Sequence, residues 1–121
     1  MGTSIINNRE QVELLVNRFY DKVKNDSLLA PVFNHVDWPH HLPTMYNFWS
    51  SILLGDQSYN GSPMQKHFPL KIDTIYFDRW LALFKSTVDE LFIGEKAEEA
   101  KMRADAIAGV FQYKMGLIGK D

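Results

Sequence analysis

The 121-residue sequence predicts an all-α protein, and three observations carry that expectation. Apolar residues recur at separations of three and four along four long stretches, each stretch is bracketed by residues that start or stop helices, and no strand-like alternation of useful length occurs. No repeat, low-complexity tract or linker divides the chain, so residues 1–121 are expected to form a single domain with one core.

The first stretch predicts a helix over 9–24, with Asn8 as its cap and Gln11 three residues on. Val12, Leu15, Phe19 and Val23 form its apolar stripe, and Tyr20 lies at the stripe's edge. Asn25-Asp26-Ser27 breaks the helix. Pro31 and Asn34 then limit 28–33 to a turn or so, with Phe33 pointing inward from the corner.

Asp37-Trp38-Pro39 opens a second helix that runs to Leu54 and ends at Gly55, a residue suited to a left-handed terminator. Leu42, Met45, Phe48, Trp49, Ile52 and Leu53 trace its buried face, and His41 falls in register with them if the helix already includes it. Pro43 removes an amide donor and disfavours helix at Leu42, which predicts an irregular first turn around His41.

A polar loop over 55–61 leads to a short stub, 62–67, in which Ser62 caps, Pro63 takes the first helical position and Gln65 closes the box. Phe68, Pro69 and Leu70 stop it and surround His67 with apolar groups. A third helix follows, capped by Asp73, with Phe77, Trp80, Leu81, Phe84, Val88, Leu91 and Phe92 on one side and Gly94 as its terminator. The last helix carries Ala97, Ala100, Ala104, Ile107, Ala108, Phe111 and Met115 on one face, small enough for close approach to a neighbour. Its acidic start at Glu95, Glu98 and Glu99 suits the positive end of the helix dipole.

Composition narrows the chemistry. A net charge of −2 with dispersed Lys and Arg offers phosphate backbones no general attraction, so nucleic acid is not an expected partner. Without cysteine there is no disulfide, thiol nucleophile or Cys-ligated metal. The amino terminus lacks the pattern of a secretory signal and no apolar run is long enough for a membrane span, so the expected location is cytoplasmic. There is no Gly-rich phosphate loop and no nucleophile elbow. His40 and His41 beside Asp37 make a poor metal set, because adjacent helical residues point about a hundred degrees apart.

Two readings of the remaining residues stand side by side. The aromatic load, eight Phe, five Tyr and three Trp, fits a core that packs only on itself. It also fits an open haem site, which needs one axial imidazole, a flat apolar slot, donors across from it and polar or cationic groups for the propionates. His67 is the axial candidate, since a neutral imidazole can ligate through one nitrogen while the other donates to a carbonyl. Phe33, Leu42, Met45, Phe48 and Trp49 from the first half, with Met64, Phe68, Phe77 and Phe84 from the second, are candidates for the slot. Tyr20, His41 and Trp80 are candidates for the opposite side, and Tyr59, Lys66 and Arg79 for the propionates.

Particular runs favour the second reading: Phe19-Tyr20-Asp21-Lys22-Val23, Pro31-Val32-Phe33-Asn34, His41-Leu42-Pro43 followed by Asn47-Phe48-Trp49, Leu53-Leu54-Gly55, Tyr59-Asn60-Gly61 before Pro63-Met64 and His67, and Phe77-Asp78-Arg79-Trp80-Leu81. As an ordered set they resemble the group III truncated haemoglobins over roughly residues 8–115. The resemblance implies a truncated globin fold, a two-over-two helical sandwich around haem b (iron protoporphyrin IX). It implies His67 as proximal ligand, Tyr20 and Trp80 as distal donors, His41 as the distal histidine and Phe33 as the aromatic wedged against the porphyrin. Tyr76 departs from the family, whose members often carry His just before the Phe-x-Arg-Trp run, and this leaves His67 without a nearby rival.

The resemblance further implies reversible binding of O2 and related diatomic ligands such as NO and CO at a pentacoordinate iron, with high oxygen affinity. The alternative is a redox enzyme, a nitric oxide dioxygenase or peroxidase-like protein. With no flavin or nicotinamide motif in the chain, turnover of NO or peroxide would require an external electron donor. A monomer or weak dimer is expected. The residues leave open whether His41 or His40 takes the sixth position when no gas is bound.

Overall fold

A computed structural model describes residues 2–57 and 74–114. Within them lie α1 (Arg9–Asn25), α2 (Trp38–Leu54), α3 (Thr74–Leu91) and α4 (Glu95–Lys114). The expected stub over 62–67, the Asp73 cap and Met115 lie outside the described residues.

Each helix starts and stops for local reasons. The Asn8 side chain accepts from the Gln11 amide at 3.1 Å, while the Gln11 side chain reaches one residue further back and accepts from the Asn7 amide at 2.7 Å. Two early amide donors are thereby satisfied. At the far end of α1 the Asp26 amide closes on the Val23 carbonyl, and its carboxylate then takes the amides of Leu28 and Leu29 at 3.1 and 3.0 Å. One side chain thus ends α1 and starts the turns of 27–35 that carry Leu29, Val32 and Phe33.

Pro43 does not disturb the start of α2. His41 donates to the Asp37 carbonyl at 2.8 Å, an ordinary helical bond, so the irregular turn expected there is absent. The proline forfeits only the bond to the Pro39 carbonyl, and both prolines are exposed where water can replace it. Gly55 ends α2 at φ 69°, the left-handed conformation expected of it.

Helices α1 and α2 pack together, α3 packs on α4, and the two pairs meet where α1 crosses α3 and α2 touches α4. This is the expected two-over-two sandwich. Val12, Leu15, Val16, Phe19 and Val23 of α1 are buried between the layers, with Phe84 and Val88 of α3 facing them. Ala97, Ala100, Ala104 and Ala108 form the buried face of α4, and their short side chains allow the close α3–α4 approach. Lys101 bridges that pair by contacting Asp89 at 2.7 Å and Glu98 at 3.1 Å, hydrogen bonds that hold its ammonium above the ordinary lysine pKa.

One contact was not foreseen. Residues 2–5 run along the end of α3, where Ser4 pairs with Phe92 in a parallel bridge, Ile93 donates to the Ser4 carbonyl and Gly2 to that of Asp89, each at 2.8 Å. No sequence alternation announces it, because a single bridge is too short to show a period.

Candidate functional site

The two layers do not close completely. Between them lies a mostly apolar cavity that opens to solvent at its mouth. Among the described residues it is lined by five segments of the chain. Tyr20 comes from α1, and Leu29, Val32 and Phe33 from the corner. Met45, Phe48 and Trp49 come from α2, with Tyr76, Phe77 and Trp80 from α3 and Ile107, Ala108 and Phe111 from α4.

A ladder of rings builds the inner wall. Phe84 stacks on Trp49 with centroids 4.7 Å apart and on Trp80 at 5.9 Å, the planes tilted by 21° and 12°. Phe19 meets Trp80 and Phe84 edge-on at 5.6 and 5.2 Å. Offset and edge-to-face pairs of this kind fix ring orientation as well as burying area. Trp80 therefore reaches the cavity from a supported position.

Tyr20 brings polarity into this apolar space. The sequence put it at the edge of the α1 stripe, whereas the structure leaves it 3% exposed, pressed against Phe19, Phe33, Trp38 and His41. Desolvation pushes the phenol pKa well above its ordinary value of 10, so it stays a neutral O–H donor at every physiological pH.

The sequence-predicted set thus divides. Tyr20, Trp80, Phe33, Met45, Phe48, Trp49 and Phe77 meet at the cavity. His41 stands behind Tyr20 with ring centroids 5.2 Å apart, and Phe84 lies beneath the lining as part of the ladder. Leu42 is half-buried against the core cluster, and Arg79 pairs with Asp26 at 3.4 Å. None of these four is among the described lining residues. His67, Tyr59, Met64, Lys66 and Phe68 lie outside the described residues.

Sequence reasoning passed over Leu29, Val32, Tyr76, Ile107, Ala108 and Phe111. The last three sit on the helical stripe already marked as inward-facing on α4. Periodicity identified that face correctly without separating the part that meets another helix from the part that meets open space.

The donor set fits a flat apolar cofactor with a polar ligand side. Aromatic and aliphatic groups line the cavity from all five of those segments, and within that lining Tyr20 and Trp80 carry an O–H and an N–H. Among the described residues no group of three or more His, Asp or Glu could hold a bare metal ion, and no helix is long and apolar enough to cross a membrane.

Comparison with known proteins agrees with that chemistry. The sequence profile of the bacterial-like globin family matches residues 5–110. The chain is 35% identical over 119 residues to the group 3 truncated hemoglobin ctb of Campylobacter jejuni, an alignment covering 90% of this chain and 94% of that protein. It is 28% identical over 107 residues to the group 1 truncated hemoglobin GlbN of a Nostoc species, covering 87% and 88%. The crystal structure of the group III truncated hemoglobin from Campylobacter jejuni superposes over the full length of both chains, with a TM-score of 0.82 and 34% identity.

Proposed function

The chain belongs to the bacterial-like globin family and, within it, to the group III truncated haemoglobins, a membership that implies haem and small gaseous ligands; from that premise we propose that it binds O2 reversibly at the pentacoordinate iron of haem b, with high affinity. Haem supplies a ferrous iron with one coordination position open to a diatomic gas.

The observation that carries the reading is Tyr20, a neutral phenol buried in a cavity whose other described lining is almost wholly apolar and which it shares with Trp80. Phe33, Met45, Phe48, Trp49 and Phe77, which line the cavity, would hold the macrocycle and keep water from it. His67 would be the residue that ligates the iron. Tyr20 and Trp80 would donate hydrogen bonds to the gas. Because both donors are oriented by ring contacts before any ligand arrives, little reorganisation opposes binding. Slow release follows, which suits gas capture or ligand chemistry better than bulk delivery.

The first test is His67→Ala. The variant is expected to lose haem on gel filtration and to regain its Soret absorption when imidazole is added. Full retention of haem with an unchanged ferrous spectrum refutes the assignment of the axial ligand. Turnover of NO or peroxide with a defined external reductant then distinguishes a gas-binding module from a redox enzyme.

A further inference from the structure

Three rings close a triangle beside the cavity. The Tyr20 and Trp38 centroids are 5.2 Å apart, Trp38 and His41 5.5 Å, and Tyr20 and His41 5.2 Å. The two pairs involving His41 are nearly perpendicular, at 81° and 82°. In those two pairs the edge of one ring meets the face of the other, while Tyr20 and Trp38 are tilted by 57°, so each ring is held by contacts with the other two.

The spacing that produces the triangle is helical on both sides. Trp38 and His41 are three residues apart at the start of α2, and Tyr20 and Lys24 are four apart near the end of α1. The four side chains interlock across the α1–α2 interface. The Lys24 ammonium lies 4.7 Å from the centroid of the Trp38 ring, a cation–π contact on the outer side of the triangle. Phe33 is stacked against Trp38 at 6.4 Å and 25°, and it also meets Tyr20 at 6.2 Å. Trp38 thus touches the phenol, the imidazole and the corner aromatic together, although it is not among the residues lining the cavity.

Trp38 is also the first residue of α2, where Asp37 supplies no side-chain cap bond. An end of that kind frays unless something else holds it. We propose that Trp38, clamped by Lys24, is the positioning residue of the distal side: it sets the orientation of Tyr20 and His41 toward the bound gas while touching neither gas nor haem itself. This rests on the proposed roles of Tyr20 and haem, and the tryptophan assignment goes beyond them.

The test is the infrared C–O stretch of the haem-loaded protein saturated with carbon monoxide, read together with the oxygen dissociation rate and the melting temperature. Trp38→Leu and Lys24→Met are expected to raise the stretching frequency and broaden the band as donors to the ligand lose their fixed orientation, Lys24→Met by the smaller amount. Trp38→Leu should release oxygen about five- to tenfold faster, the equivalent of one hydrogen bond. Trp38→Phe, which keeps a ring edge, should retain most of the wild-type band.

An unmoved band in both Trp38→Leu and Lys24→Met, with only a lowered melting temperature, overturns the proposal. So does a Trp38→Phe variant as perturbed as Trp38→Leu. If Trp38→Leu does not fold, the exposed Lys24→Met variant decides alone. Tyr20→Phe separates the two levels: a band insensitive to that change refutes the donor role of Tyr20, whereas a band that responds to Tyr20→Phe and ignores Trp38→Leu refutes only the positioning role.

Discussion

Tyr20 combines a hydroxyl group with nearly complete burial. Removing the hydroxyl by Tyr20→Phe keeps the ring contacts and deletes the donor. The oxygen dissociation rate, measured by stopped flow, should rise about ten- to hundredfold, the equivalent of about 1.5–3 kcal/mol for a bond to a charge-bearing ligand. The same burial has a consequence at high pH. The folded pKa of Tyr20 lies above its unfolded value, so the folded form keeps a proton that the unfolded chain releases above pH 10. Stability attributable to this group is complete below pH 10 and declines above it, by up to about 1.4 kcal/mol per pH unit. Chemical denaturation at pH 9 and 11 should therefore show a smaller loss in Tyr20→Phe than in the wild type.

Asp26 illustrates what one side chain does for the neighbouring elements. It terminates α1, accepts two amides at the start of the corner and pairs with Arg79 of α3. These contacts are not equal. Asp26→Ala abandons two partly buried amides and should lower unfolding free energy by about 1–2 kcal/mol in urea titrations. Arg79→Leu removes only an ion pair whose guanidinium side is 47% exposed, and should cost less than about 1 kcal/mol. Equal costs would refute the capping account.

The helices themselves were legible in the sequence, because spacings of three and four, Asn8, Gly55 and Gly94 all act locally. Pro43 misled for a physical reason. Its missing donor falls so near the start of α2 that only one exposed carbonyl goes without a helical partner. The cavity was half legible. Phe33, Met45, Phe48, Trp49 and Phe77 were identifiable as inward-facing aromatics or Met, whereas Leu29 and Val32 belong to a corner whose path depends on Asp26. Trp38 was read only as a helix opener, since nothing local records a ring contact between the ends of two helices.

At the scale of the molecule, the segment 2–5 joins the chain's beginning to the connection between α3 and α4. Gly2 permits this, because a Cβ there would lie 2.1 Å from the Phe92 amide nitrogen and 2.4 Å from the Leu91 carbonyl carbon. Gly2→Ala must push the segment away from α3. The expected result is faster hydrogen exchange at the Ile93 amide and a lower melting temperature, with the absorption spectrum of the haem-loaded protein unchanged, since the cavity lies elsewhere. An Ile93 amide as protected as in the wild type would show that the segment contributes no local stability.

The ladder Trp49–Phe84–Trp80 places two of the chain's three tryptophans on the wall of the cavity, and Trp38 is only one ring behind it. A porphyrin seated there would lie within energy-transfer range of every indole in the protein. Ultraviolet-excited emission should accordingly be dark in the loaded state and bright in the empty one. The molecule carries an optical gauge of its own cofactor content, readable in a cuvette without any label.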